Sequence, residues 1–123
     1  MLKVLIVHNP GPLTDILADQ LRSNFEITIC HTGTDALTLI DCLHPDILII
    51  YLSLSDLDGI NVLHRTNYVP DVVLVLTNLI TESILRAVFG AGAQDIILLP
   101  SSVPYIIKRL EMLIEVKYPS LEV

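Results

Sequence analysis

Bases are scarce in this 123-residue chain: seven Lys and Arg stand against fourteen Asp and Glu, a formal net charge of −7. A surface that acidic repels phosphate backbones and anionic headgroups, which argues against nucleic-acid or membrane binding by this domain. Charge of either sign is sparse as well, at 17%, while 52% of the residues are hydrophobic. A chain so apolar collapses instead of staying disordered. Long apolar runs are missing, since every hydrophobic block stops short of the ~18 residues a membrane span requires. Met1-Leu2-Lys3 leads straight into a strand-like block without the pattern of a cleavable leader. The expected setting is therefore soluble and cytoplasmic. There are only two cysteines, Cys30 and Cys42, too few for a disulfide framework and poorly placed for structural zinc. Both are expected to be reduced and in the core. No linker, low-complexity stretch or charge run divides the chain, and its length suits one core. That predicts one domain over residues 1–118, with 119–123 a short tail or the start of a linker to an effector.

What the chain has is short apolar blocks in regular alternation with helical patterns. Val4-Leu5-Ile6-Val7, Ile47-Leu48-Ile49-Ile50, Val72-Val73-Leu74-Val75-Leu76 and Ile96-Ile97-Leu98-Leu99 are rich in β-branched residues and bounded by turn formers or charges. Strands read this way when both faces of a parallel sheet are covered. Phe25-Glu26-Ile27-Thr28-Ile29-Cys30 alternates instead, which marks a strand with one wetter face at a sheet edge.

Between the blocks the period lengthens to that of helices. Leu13, Ile16, Leu17 and Leu21 form one predicted face, opened near Pro12, and Ala36, Leu37, Ile40 and Leu43 form another. A short third helix is expected from Gly59, with Ile60 and Leu63 inward. A fourth, capped by Thr81, carries Ile84, Leu85, Val88 and Phe89 and ends at Gly90-Ala91-Gly92. The fifth starts near Ser101-Ser102 with a stripe of Val103, Ile106, Ile107, Leu110, Leu113 and Ile114. Five βα units close as a three-layer α/β sandwich through right-handed crossovers. With the second strand at an edge, the flavodoxin-like order 2-1-3-4-5 fits. Ligands of such sheets bind at the carboxyl ends of the strands, here His8-Asn9, Tyr51-Leu52, Thr77-Asn78 and Leu99-Pro100.

Over nearly its whole length the chain resembles the receiver domain of bacterial two-component response regulators. The resemblance rests on Lys3-Val4-Leu5-Ile6-Val7, Pro45-Asp46-Ile47-Leu48-Ile49-Ile50, Asp56-Leu57-Asp58-Gly59-Ile60, Val75-Leu76-Thr77 and Gly92-Ala93-Gln94-Asp95-Ile96-Ile97-Leu98-Leu99-Pro100, in order and at the right spacing. It implies a phosphoryl group accepted on an aspartate ending the third strand, Mg²⁺ held by two acids after the first, a Thr or Ser after the fourth, and a Lys before a proline. Such a site supplies a hard cation with carboxylate oxygens and cancels the charge developing on the phosphoryl group.

Four of those positions are changed. The acidic pair is His8-Asn9, the acceptor is Tyr51, the lysine is Leu99, and only Thr77 stands as in the family. Ile96 replaces the aromatic often found on the fifth strand. His8 and Asn9 give Mg²⁺ little reason to shed water. Tyr51 is a neutral phenol at pH 7 and a poor nucleophile. The resemblance therefore implies a pseudo-receiver, with aspartyl phosphorylation excluded at Tyr51. Its ring is expected to fill the emptied pocket and its hydroxyl to bond Thr77, Asn9 or water. Asp56 is the alternative acceptor, although Asp56 and Asp58 also suit turn chemistry into the third helix. His8 is expected to be a satisfied polar residue and not a metal ligand, and His31, His44 and His64 to lie on the surface.

A fifth strand that is apolar, unalternating and at an edge needs cover. The prediction is an interface over the fourth helix, fifth strand and fifth helix, with Ile96, Ile97, Tyr105 and Met112 in it and Arg86, Asp95, Lys108, Arg109 and Glu111 as polar rim. Many receivers dimerise through this face. The expected function is a phosphorylation-independent signalling module working by protein contact, without a cofactor, as the regulatory part of an atypical response regulator or transcription factor. The alternatives are a receiver acting through Asp56, or a flavodoxin-like protein binding FMN or another small ligand. FMN would require amide donors where His8-Asn9-Pro10-Gly11-Pro12 has two prolines. A small enzyme with His8 or Tyr51 as base would need a second activated group, which the sequence does not place beside them.

Overall fold

The computed structural model describes residues 1–119, so residues 120–123 of the expected tail lie outside the described residues. Five strands alternate with five helices: β1 Lys3–Val7, α1 Pro12–Leu21, β2 Glu26–Cys30, α2 Gly33–Leu43, β3 Ile47–Tyr51, α3 Gly59–Arg65, β4 Val72–Thr77, α4 Glu82–Gly90, β5 Asp95–Leu98 and α5 Val103–Lys117. All strand pairs are parallel and the sheet order is β2-β1-β3-β4-β5. The flavodoxin-like arrangement predicted from the block pattern is the one observed.

Period-2 geometry splits each central strand between two cores. Val4, Ile6, Ile47, Ile49, Leu74 and Leu76 face α1 and α5, where Leu17, Leu21, Ile106 and Leu110 meet them. Leu5, Val7, Leu48, Ile50, Val73 and Val75 face Ala36 and Ile40 of α2, Val62 of α3 and Val88 of α4. Every residue of β4 is buried, as is the run Ile47–Ile50 in β3. β2 is only half-covered along most of its length, as its alternation required.

The helix starts follow local chemistry. Thr32, Asp58, Thr81 and Ser102 each cap a helix by accepting from the backbone amide three residues on, which satisfies a donor the helix leaves orphaned. Pro12 starts α1 and Pro104 lies in the first turn of α5. α5 is fastened at its far end, where the Tyr118 hydroxyl donates to Asp71.

Several expected faces are rotated. In α1 the buried stripe is Thr14, Leu17, Ala18 and Leu21, and Ile16 is exposed. In α3 it is Val62 that reaches the core, while Ile60 and Leu63 are half-covered. Phe89 is exposed, one position past the buried Val88. Single short helices carry too few apolar positions to fix a stripe to better than one residue. Cys30 is buried but Cys42 is exposed, so the two thiols are free and do not share a core.

Candidate functional site

The carboxyl ends of β1, β3 and β4 meet as the family resemblance requires. β3 ends on Tyr51, β4 ends on Thr77, and the chain leaves β1 through His8 and Asn9. Gly59 holds α3 tight against this edge, since a Cβ there would lie 3.0 Å from the Tyr51 carbonyl oxygen.

An aromatic pair occupies the middle of the site. The rings of His8 and Tyr51 stack with centroids 4.2 Å apart and planes 15° from parallel. The Tyr51 hydroxyl donates to Asn78 Oδ1, a different partner from the Thr77, Asn9 or water expected. Thr77 is occupied locally, donating to the Leu79 carbonyl at 3.0 Å and accepting from the Leu79 amide at 3.3 Å. Asn9 Nδ2 donates to the Ser53 carbonyl at 3.3 Å, and Thr14 Oγ1 donates to the Asn9 carbonyl at 3.2 Å. Leu99 is buried and brings only hydrocarbon.

His8 is less satisfied than expected. Its Nδ1 lies 3.1 Å from the Asn9 carbonyl oxygen, which makes Nδ1 the protonated nitrogen. Nε2 is buried with no hydrogen-bond partner. Burial pushes the His8 pKa below the ordinary imidazole value; the Asn9 carbonyl opposes that and neighbouring His31 adds to it. At neutral pH the site therefore holds a neutral imidazole, a neutral phenol and two amides. Among the described residues no three His, Cys, Asp or Glu side chains gather as a metal set.

Asp56 does not point at this group. Its carboxylate accepts from Gly33 N at 2.7 Å, Thr34 N at 3.0 Å, Thr34 Oγ1 at 2.5 Å and Leu57 N at 2.8 Å. The Thr34 hydroxyl and these amides hold its pKa far below the usual carboxylate range. Asp56 thus ties the β3–α3 loop to the first turn of α2, a contact 22–23 residues away in sequence that no local pattern signals. Asp58 caps α3 through Asn61 N at 2.9 Å, the turn role expected of it. His31, His44 and His64 are exposed as expected, and His44 stacks on Tyr68 with centroids 4.3 Å apart. Cys30 is an inert thiol, its pKa pushed up to about 11 mainly by burial.

The predicted interface residues divide. Tyr105 and Met112 are exposed on α5 as expected, and Phe89 of α4 and Leu98 of β5, neither of them among the predicted contacts, are exposed large hydrophobics as well. Arg86 and Lys108 are exposed beside them. Ile97 is buried at 2% exposure and is no contact residue, because odd positions of β5 turn toward α5. Ile96 is half-covered on the opposite core. Asp95 and Arg109 are already paired, with Arg109 Nε and Nη2 donating at 2.8 and 2.7 Å, and Asp95 Oδ1 also accepts the Ile96 amide. This pairing blunts the start of the edge strand. Beside it runs a groove of about 330 Å³ lined by Gln94, Asp95, Arg109, Met112, Leu113 and Val116.

No family model matches the chain. It is 28% identical over 120 residues to the transcriptional regulatory protein TrcR of Mycobacterium tuberculosis, covering 92% of this chain and 45% of that protein. It is 25% identical over 116 residues to the response regulator MprA of Mycobacterium avium, covering 92% and 51%. A third relative, a protein-glutamate methylesterase/protein-glutamine glutaminase of Shewanella oneidensis, is 30% identical over 106 residues, covering 81% of this chain and 30% of the relative. The chain thus spans about half the length, or less, of these relatives. Among solved structures it matches a CheY-like response regulator receiver domain protein of Methanospirillum hungatei with TM-score 0.84 at 18% identity, over 98% of this chain and 99% of the other. The non-phosphorylated HemR receiver domain of Leptospira biflexa matches with TM-score 0.81 at 21% identity, over 93% and 94%. The fold is that of response-regulator receiver domains, and the sequence matches support a receiver domain of two-component signalling. No helix among the described residues is long and apolar enough to cross a membrane.

Proposed function

We propose that this receiver domain signals without phosphorylation and works through protein contacts on the α4–β5–α5 face. The observation that carries the reading is the His8–Tyr51 stack at the carboxyl edge, with Tyr51 where the family keeps its acceptor aspartate. A phenol hydrogen-bonded to Asn78 offers no carboxylate to phosphorylate. Two side chains that are neutral at pH 7 offer no hard-cation site for Mg²⁺, and Leu99 supplies no counter-charge. Asp56 is unsuited as a displaced acceptor because four donors, three of them on α2, already hold its carboxylate. The loop after β1 suits FMN poorly, since Pro10 and Pro12 lack the amide donors a phosphate would need.

The α4–β5–α5 face suits contact with a protein, either a partner or a second copy, because it gathers the exposed Phe89, Leu98, Tyr105 and Met112. Exposed apolar side chains grouped this way mark contact surfaces. A regulatory role ahead of a transcriptional effector agrees with the relatives that continue beyond the matched region.

The test is a ¹⁵N–¹H correlation spectrum before and after Mg²⁺ with beryllofluoride, an acyl-phosphate mimic. The expected result is no saturable shift at Thr77, Asn78 or Ile96, in the natural chain or in Tyr51→Asp, since one restored carboxylate supplies neither the Mg²⁺ site nor the lysine. Saturable shifts in the natural chain would overturn the reading and return Asp56 to consideration.

A further inference from the structure

The site has lost its acids, yet its side chains are wired to the loop that leads into α4. Tyr51, at the end of β3, reaches 27 residues along the chain to Asn78. Thr77 holds Leu79 on both its donor and acceptor sides. The β4–α4 loop is thereby pinned at two successive residues, and it carries the exposed Leu79 and Ile80 directly ahead of the Thr81 cap of α4. Tyr51 is itself steadied by the His8 ring lying flat against it.

The weak point of this chain of contacts is His8. Its Nδ1 proton is accepted by the Asn9 carbonyl, and Nε2 is buried without a partner. As a neutral imidazole, His8 leaves only an unfilled lone pair. Once protonated it would carry a buried N–H with no acceptor, a much costlier arrangement than the same ring turned out into water. The groups facing it do not offset that cost. From β3 it meets the Tyr51 ring, and on α1 the Thr14 hydroxyl is spent on the Asn9 carbonyl. At the end of β2, His31 Nδ1 lies 2.9 Å from the His8 carbonyl oxygen and repels a second positive charge. Cys30 has its thiol proton firmly held, and Asp35 and Asp56 are carboxylates that act on Cys30.

We propose that Tyr51 is the positioning residue of the β4–α4 loop, and that protonation of His8 releases it. Neutral His8 stacks on Tyr51, Tyr51 holds Asn78, and the loop presents the start of α4 in one arrangement. Protonated His8 leaves the stack, Tyr51 loses its support, and Asn78 is freed. The proton moves between solvent and Nε2, and no other chemistry is needed. The consequence for partner contact rests on the proposed function of the α4–β5–α5 face, while the switch itself does not.

The test follows the imidazole and amide resonances of the full chain from about pH 8 to about pH 5, the range in which histidines change charge. His8 is expected to titrate below the ordinary imidazole value. The amides of Leu79, Ile80 and Ser83 are expected to shift with the His8 midpoint. In Tyr51→Phe, which keeps a ring to stack but loses the hydroxyl, His8 should still titrate while those amides stop following it. Asn78→Ala should uncouple them in the same way, and it serves if Tyr51→Phe folds poorly. Amides that ignore His8 in the natural chain, or that still follow it in both variants, would overturn the proposal. The beryllofluoride response at constant pH is a separate readout: a response there sinks phosphorylation independence and leaves the switch standing, and the reverse result does the opposite.

Discussion

At the scale of the residue, Asp56 illustrates how an acid near an active-site position can be fully employed elsewhere. Its carboxylate satisfies the first two amides of α2, which a helix leaves without intrahelical partners, and places negative charge at the positive end of the helix. The pH consequence has a definite sign. The folded-state pKa is depressed, so the contribution is present in full above the ordinary carboxylate value of about 3.9 and is lost as pH falls below it. Asp56→Asn should lower the melting temperature by a few degrees at pH 7 and by less near pH 3, where the carboxylate of the unfolded chain is already largely protonated while that of the folded chain is still ionised. Thermal melts of both proteins at the two pH values check this, and an equal loss at both would remove the charge from the account. The exchange of Asp for Tyr51 is legible in the sequence because the family places one residue there. The bond from Asp56 to α2 is not, because it depends on how two loops meet in space.

At the scale of the element, the same meeting of loops makes Gly33 irreplaceable. A Cβ at Gly33 would sit 2.6 Å from the Leu57 carbonyl oxygen and 2.7 Å from Leu57 Cβ. The β3–α3 loop would have to withdraw, and Asp56 would lose its amide partners on α2. Gly33→Ala should therefore destabilise by about 1–3 kcal/mol, as overpacking of a tight contact does. Gly90, in the last turn of α4, has open space around its missing Cβ. Gly90→Ala should be neutral or stabilising by up to about 1 kcal/mol through its helix propensity. Urea denaturation of the pair decides whether packing at α2 is the cause. Element type and order were legible because strand blocks of four or five residues rich in β-branched side chains alternate with capped helical stripes without interruption. Helix faces were less so: Ile16 and Phe89 satisfy the spacing rule yet lie outside, since α1 and α4 each touch the sheet along a stripe narrower than their apolar content. Cys42 was placed in the core on residue type alone, and the turn of α2 puts it outside.

At the scale of the whole molecule, charge and hydrophobicity are distributed unevenly. From Met1 to Asp71 acids greatly outnumber bases, whereas from Val72 to Pro119 the two balance, with Arg86, Lys108, Arg109 and Lys117 matching the acids. The balanced half is also the one that exposes Phe89, Leu98, Tyr105 and Met112. Two copies meeting through this half would bury apolar surface while their acidic halves point away from each other. The residual repulsion acts across solvent, where salt screens it with a Debye length of ~8–10 Å. Self-association should therefore strengthen with salt up to physiological ionic strength and then level off, as expected where apolar burial supplies the attraction. Leu98→Lys should abolish it, because Leu98 projects from the exposed face of β5 and a lysine there also repels Lys108 and Arg109 of a facing copy. Its effect on the melting temperature should be small, since surface substitutions seldom exceed about 0.5 kcal/mol. Sedimentation velocity across the tens-of-micromolar range measures both proteins directly. A concentration-dependent sedimentation coefficient in the natural chain that is lost in Leu98→Lys places the second copy on this face. A monomer at every concentration and salt would instead leave the face to a different protein, one whose own charge need not match the −7 of this chain.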